Sequence, residues 1–253
     1  MQDFTGKVVF ITGATSGIGE DVALQFAKQG AKVAFTGRRA EQGEAVAAKI
    51  KALGADAIFI RSDVKESADI EKAIKLTVEK FGRIDIAVNN AGVEEPMVPF
   101  LEQKVEKFDE IFDINVRGMW LCLQGEIRQM VKQDSECSII NISSIAGQSG
   151  FPQTSSYTAS KHAVNGLTRV LASEFASKKI RINAVAPGPI RTEMWDRFAN
   201  STPGMEQMML QMVPMGRVGN TAEVSSCVLW LASGTSTYVT GQIIVVDGGT
   251  INV

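Results

Sequence analysis

Tyr157 and Lys161 stand four residues apart in the stretch Ser156-Tyr157-Thr158-Ala159-Ser160-Lys161. The surrounding pattern predicts a helix over about 154–176. At ~1.5 Å rise per residue, positions i and i+4 sit one turn apart on one face. A phenol beside an ammonium ion is a candidate general acid/base, because the cation favours the phenolate. The same pair on an ordinary helix is only two surface neighbours. The rest of the chain decides between these readings.

A second group with chemical content is Thr12-Gly13-Ala14-Thr15-Ser16-Gly17-Ile18-Gly19. It follows the apolar, β-branched run 8–11, read as a buried strand. It precedes a helix whose inner face carries Val22, Phe26 and Ala27 and which ends near Gly30. Glycines between a strand and a helix let the backbone approach a pyrophosphate. The helix N-terminus then offers free N–H groups and the positive end of its dipole. The spacing is G-x-x-x-G-x-G, and the alternative is an ordinary tight turn. A dinucleotide site also needs a group for the adenosine ribose about twenty residues on. There the second strand, 32–36, runs into Gly37-Arg38-Arg39, with no acid. Two cations at a helix start oppose the dipole. A ligand phosphate explains them; two solvated arginines are the alternative.

Further strands are predicted at 57–60, 84–88, 138–142, 180–186 and 243–246. Helices are predicted at 41–53, 67–81, in one long region over 102–132, and at 222–232. The segment 191–217 reads as irregular, with short helices. Buried strands alternating with helices mean a parallel sheet covered on both faces. No linker divides the 253 residues, so one domain over 1–253 is expected.

Composition sets outer bounds. The net charge of −2 gives no electrostatic case for nucleic acid or an anionic membrane. Cys122, Cys137 and Cys227 are odd in number, lack metal-ligand spacing and read as reduced thiols. No cluster of His, Cys or paired acids suggests a metal. The first residues lack a signal-peptide layout, and no apolar run approaches the ~20 residues of a membrane span. A cytoplasmic protein is the expectation.

These pieces resemble the short-chain dehydrogenase/reductase family, in its branch of about 250 residues, over essentially the whole chain. Thr12-Gly13-x-x-x-Gly17-Ile18-Gly19 is similar to its cofactor loop, Asn89-Asn90-Ala91-Gly92 to its turn after the fourth strand, and Tyr157-x-x-x-Lys161 to its active-site pair. Ser144, thirteen residues before Tyr157, has the spacing of its catalytic serine. Asn115 matches its helix asparagine, and Pro187-Gly188-x-Ile190-x-Thr192 resembles the loop that holds the nicotinamide.

The resemblance implies an α/β Rossmann-type doubly wound sheet of seven parallel strands ordered 3-2-1-4-5-6-7. It implies hydride transfer between nicotinamide C4 and a carbonyl carbon. Tyr157 would exchange a proton with the carbonyl oxygen and Ser144 would hydrogen-bond that oxygen. Lys161 would hold the nicotinamide ribose and lower the Tyr157 pKa. Asn115 would break the helix ladder and hold a water between Lys161 and solvent. A phenol ionises near pH 10, so reaching 7 takes roughly 4 kcal/mol, within reach of one ammonium plus an oxidised nicotinamide. Thr15, Ser16 and Ile18 would complete the phosphate loop. Asp63, beside Val64, either binds the adenine or caps a helix. Asn90, Ala91 and Gly92 would pass beneath the adenosine ribose. Thr192 either binds the nicotinamide amide or caps a short helix. His162 is read as structural or at a subunit contact. NADP(H) is the expected cofactor, through Arg38 and with Arg39 either adding or facing solvent; NAD(H) is the alternative.

The segment 193–215 carries six of the ten methionines, with Trp195 and Phe198. Methionine-rich surface is adaptable and apolar. It reads either as a lid over an apolar ketone or secondary alcohol, or as packing onto the core or a neighbouring subunit. Glu94, Ala146, Met194 and Trp195 are the candidate pocket residues. The branch most similar is that of 3-oxoacyl-thioester reductases and related ketone reductases. Its members that act on carrier-protein thioesters place arginines where this chain has Ser135 and Ser173, which weakens that reading. A regulator that binds NADP without turnover is the other class; such relatives usually lose Tyr157 or Lys161. The resemblance further implies a homotetramer with contacts at the Asn115 and Tyr157 helices and at the C-terminal segment 242–253.

Overall fold

A computed structural model describes residues 2–199 and 204–251. Seven parallel strands form one sheet ordered β3-β2-β1-β4-β5-β6-β7. They are β1 (Val8–Thr12), β2 (Lys32–Gly37), β3 (Ala57–Arg61), β4 (Ile86–Asn89), β5 (Cys137–Ile142), β6 (Ile180–Pro187) and β7 (Ile243–Val246). The central strands are buried along their whole length, as runs of β-branched residues require when helices cover both faces.

One face is covered by α1 (Gly17–Lys28), α2 (Ala40–Ala52) and α9 (Thr221–Ala232), packed through Val22, Phe26, Val46, Ile50 and Val228. The other is covered by α3 (Ser67–Phe81), α5 (Met119–Gln133) and α6 (Ser155–Phe175), packed through Ile70, Ile74, Leu123, Met130 and Val164. The strand order reverses between β1 and β4. In such sheets the crevice beyond the carboxyl ends at that point receives the ligand.

The long helix expected over 102–132 is not continuous. A short turn at Phe100–Glu102 is followed by α4 (Val105–Phe112), a π-helical stretch (Asp113–Gly118) and α5. The expected ladder break at Asn115 is there, built as wider i→i+5 turns, a feature frequent at functional sites. The segment 191–217 does hold short helices, α7 (Glu193–Ala199) and α8 (Met205–Gln211), and residues 200–203 lie outside the described residues.

A buried polar chain lies under β4 and β5. Asn89 Nδ2 donates to Glu126 Oε2 at 2.9 Å and to Asn141 Oδ1 at 3.1 Å. Asn141 Nδ2 donates in turn to Thr168 Oγ1 at 3.0 Å. Burial pushes the Glu126 carboxyl from an ordinary 4.5 up to about 7, against a lowering by the Asn89 bond. The folded chain therefore holds this proton over a window in which the unfolded chain has released it. Stability falls as pH rises from about 4.5 to about 7 and stays lowered above. Glu126→Gln keeps the acceptor and removes the charge. Its stability relative to wild type, read from urea unfolding, should rise between pH 5 and pH 8, by roughly 3 kcal/mol at most. A difference that does not change with pH contradicts this.

Candidate functional site

The glycine loop lies between β1 and the start of α1. Gly13 has φ +67°, and a Cβ there would fall 2.7 Å from Ala91 Cα. A Cβ on Gly19 would fall 2.6 Å from Gly13 O. Only glycine fits where the loop meets the turn after β4. Thr12 Oγ1 accepts from Asn90 N and Ala91 N, at 3.1 and 3.2 Å, and Asn90 Nδ2 donates to Gly13 O at 2.8 Å. The two turns are thus stapled across the switch point, a role of Thr12 and the Asn90 side chain that the motif alone did not reveal. Ser16 precedes α1 without a side-chain cap, so the first N–H groups of the helix stay free for an anion.

A cavity of about 450 Å³ opens over this loop, walled by Thr15, Gly17, Arg38, Asp63, Val64 and Gly92 among others. The glycine loop and the free N–H groups of α1 in its wall suit the pyrophosphate of a dinucleotide. A Cβ on Gly37 would collide with Thr15 Cγ2, so an acid at that position has no room unless Thr15 moves. Arg38 is exposed on the cavity wall. Arg39 is already committed. Its guanidinium donates to Thr15 Oγ1 at 3.3 Å and to Ser16 Oγ, and pairs with Glu193 Oε2 at 3.0 Å. Asp63 does not cap α3, whose N-cap is Glu66. Its Oδ1 accepts from Lys65 N at 3.1 Å, an Asx-type turn that leaves the side chain in the cavity wall.

A second cavity, of about 400 Å³, shares Ile18, Asn90, Gly92, Glu94, Thr192 and Met194 with the first. Ser144, Tyr157 and Lys161 stand in its wall, with Ala146, Trp195 and the Pro187, Gly188 and Ile190 loop. β5 carries Ser143 and Ser144 just past its end. Ser143 Oγ donates to Asn165 Oδ1 at 2.7 Å, and Asn165 Nδ2 to Gly147 O at 2.7 Å, which pins the serine turn to α6. Tyr157 is the third residue of α6, and its N–H donates to Glu95 Oε2 at 2.9 Å. Glu95 is buried and takes the place of a cap, since Thr154 supplies none. It lies in a loop without periodicity, and no sequence signal marked it.

Lys161 is buried, its Nζ 3.0 Å from Ile142 O and 5.6 Å from the centre of the Tyr157 ring. Burial brings its ammonium from 10.5 down to about 8. The Tyr157 phenol is raised by burial, lowered by a hydrogen bond with Ser144 and raised by the Glu94 charge. In the protein alone burial is the largest influence on this phenol, and the Lys161 ammonium, over the ring face, is not among the groups that shift it. A positively charged nicotinamide would act in the lowering direction.

Asn115 stands behind Gly92. Its Oδ1 accepts from Val93 N at 2.9 Å and its Nδ2 donates to Val93 O at 3.0 Å and Ser160 Oγ at 3.2 Å. The side chain thus ties the turn after β4 to α6. Thr192 Oγ1 accepts from Trp195 N at 3.2 Å, so the capping reading is met, while the residue also faces both cavities. Met194, Met208, Met209 and Met212 line the second cavity; Met205 and Met215 do not. The helix α7 is held to the cleft by two ion pairs, Glu193 with Arg39 and Arg197 with Glu94 at 2.7 Å. His162 bonds Thr158 O through Nδ1 at 2.9 Å on the exposed side of α6.

A family model described as enoyl-(acyl carrier protein) reductase matches residues 13–250. The chain is 36% identical over 249 residues to a 2,5-dichloro-2,5-cyclohexadiene-1,4-diol dehydrogenase of Sphingobium indicum, covering 98% of each. A solved short-chain type dehydrogenase/reductase from Mycobacterium marinum superposes with TM-score 0.92 at 38% identity, over 98% of this chain and 97% of that one. A structure titled ElxO with NADP bound does so with TM-score 0.91 at 36% identity over 100% of both. With the switch-point cleft and the Ser144–Tyr157–Lys161 cluster beside it, these likenesses make the chain a member of the short-chain dehydrogenase/reductase family, an oxidoreductase that uses a nicotinamide dinucleotide.

Proposed function

We propose that the protein transfers a hydride between NADP(H) and an apolar ketone or secondary alcohol. The observation that carries this is the Tyr157 phenol and Ser144 hydroxyl side by side in an apolar cavity that opens into the dinucleotide cleft. The bound nicotinamide supplies the hydride in reduction and takes it in oxidation. In reduction Tyr157 gives its proton to the carbonyl oxygen, and Ser144 donates a hydrogen bond to the same oxygen. The raised phenol suits the acid role, since the proton is held until charge develops on that oxygen. Lys161, anchored on Ile142 O, holds the nicotinamide ribose. Asn115 keeps the turn after β4 in place beneath the cofactor.

Arg38 is proposed to bind the 2′-phosphate, with Arg39 fixing the loop. Asp63 and Val64 meet the adenine, Asn90, Ala91 and Gly92 the adenosine ribose, and Pro187, Gly188, Ile190 and Thr192 the nicotinamide. The segment 191–217 covers the substrate within one domain spanning 1–253. The alternative of a 3-oxoacyl thioester keeps support from the likeness, 38% identical over 245 residues, to a 3-oxoacyl-[acyl-carrier-protein] reductase of Staphylococcus aureus; Ser135 and Ser173 in place of arginines weigh against a carrier protein. A panel of ketones and secondary alcohols read with both cofactors tests the proposal. Binding of NADPH with no turnover on any carbonyl compound would favour a nucleotide sensor instead.

Assembly as a homotetramer is part of the proposal. Phe108, Trp120, Val131 and Val170 are exposed on α4, α5 and α6, and Tyr238 stands fully exposed before β7. Of the tail proposed for the second contact, residues 252–253 lie outside the described residues. Light scattering at micromolar concentration should give four times the chain mass of 27.3 kDa. A monomer would refute the assembly. No helix among the described residues is long and apolar enough to cross a membrane.

A further inference from the structure

The cavity that holds Tyr157 is lined by apolar and uncharged polar groups, Ser144 and Thr154 among the latter, and by three charged side chains among the described residues, Glu94, Glu95 and Lys161. The one cation is spoken for. Lys161 Nζ donates to Ile142 O and is assigned to the nicotinamide ribose. Arg197 lies on the dinucleotide side and pairs with Glu94. No uncommitted cation therefore faces the substrate. Both carboxylates keep acceptor capacity. A carboxylate offers about four lone-pair sites. Among the described residues Glu95 accepts one hydrogen bond, from Tyr157 N, and it is 5% exposed. Glu94 Oε1 takes the Arg197 Nε–H. The Glu94 charge is felt at the phenol, where it works against the phenolate.

Resting on the ketone reading above, we propose that Glu94 and Glu95 are specificity-determining residues that exclude anionic carbonyl compounds and favour neutral ones bearing a hydroxyl away from the reacting carbon. An anionic group brought into this cavity loses its water, finds no free cation and faces two carboxylates. A hydroxyl meets acceptors at ionised groups, the stronger kind of hydrogen bond. The remaining wall, with Met97, Phe151 and Met209, takes the apolar frame of the substrate.

The test is a matched series on one ring: 4-methylcyclohexanone, 4-hydroxycyclohexanone and 4-oxocyclohexanecarboxylate. Wild type should reduce the hydroxyl compound with a kcat/KM about tenfold above the methyl compound. The carboxylate should fall about a hundredfold below it. In Glu94→Gln and Glu95→Gln each side chain keeps an acceptor and loses its charge. Within each variant the carboxylate-to-methyl ratio should rise at least about tenfold and the hydroxyl-to-methyl ratio should drop. Using ratios removes any general loss of activity. Glu95→Gln risks the start of α6, and Glu94→Gln, on a partly exposed loop, keeps the test decisive should that variant not fold. Ratios that stay at the wild-type values in the folded variants overturn the proposal, as does a wild type that accepts the carboxylate as readily as the methyl compound. If no ketone turns over, the ketone reading fails separately. Binding of the three compounds to cofactor-loaded protein, followed by nicotinamide fluorescence, then reads the same order. Absence of binding by the hydroxyl compound in that assay also overturns the proposal.

Discussion

Tyr157→Phe lowers turnover by at least about a hundredfold, the low end for loss of a general acid. The argument is local. Phenylalanine keeps the ring and its contact with Lys161, so the packing of α6 survives. The variant loses the proton donor that sits beside the Ser144 hydroxyl. The hydroxyl of Ser144 cannot replace it, because an alcohol is a far weaker acid than a phenol. Cofactor affinity should change little, since Lys161, the glycine loop and the turn after β4 are untouched. The measurement is steady-state kcat with the best ketone of the panel, alongside the cofactor Kd. Near-normal turnover would mean that the proton comes from elsewhere.

Arg38→Ala should lower kcat/KM with NADPH by at least about tenfold and leave the value with NADH nearly unchanged. Charge-assisted hydrogen bonds contribute roughly 1.5–3 kcal/mol each, so one or two account for a ten- to several-hundredfold preference. Three features favour Arg38. It lies exposed on the dinucleotide cavity, where a guanidinium can bond a phosphate through two N–H groups. Gly37, where NAD-preferring relatives tend to carry an acid, has no room for a side chain beside Thr15. Arg39 is held by Thr15, Ser16 and Glu193. A wild type that prefers NADH, or a variant that loses equally with both cofactors, would assign the protein to NAD(H).

Much of the fold was legible because its signals are local. Runs such as Val8–Thr12 and Cys137–Ile142 are buried on both faces, so their apolar residues stand unbroken in sequence. The site motifs were legible for a similar reason. Gly13, Asn90, Ser144, Tyr157 and Lys161 each sit just past a strand or within the helix that follows. Other features depend on tertiary placement. The π-helical stretch around Asn115 leaves the apolar spacing close to helical, so 102–132 reads as one helix. Glu126 looks like a surface residue of α5 until Asn89 is seen facing it. Arg38 and Arg39 are adjacent in sequence, and only the packing of Thr15 against the end of β2 tells which is tied down. Glu95 gains its meaning from the distant start of α6.

The central claim is hydride transfer to a carbonyl carbon at the Tyr157 site. It is tested most directly with NADPH carrying deuterium at both C4 positions of the nicotinamide and a ketone from the panel, the product being read by mass spectrometry. The account predicts one deuterium on the carbinol carbon of the alcohol, formed by wild type and almost abolished in Tyr157→Phe. An alcohol formed without the label, or formed as fast by the variant, would contradict it.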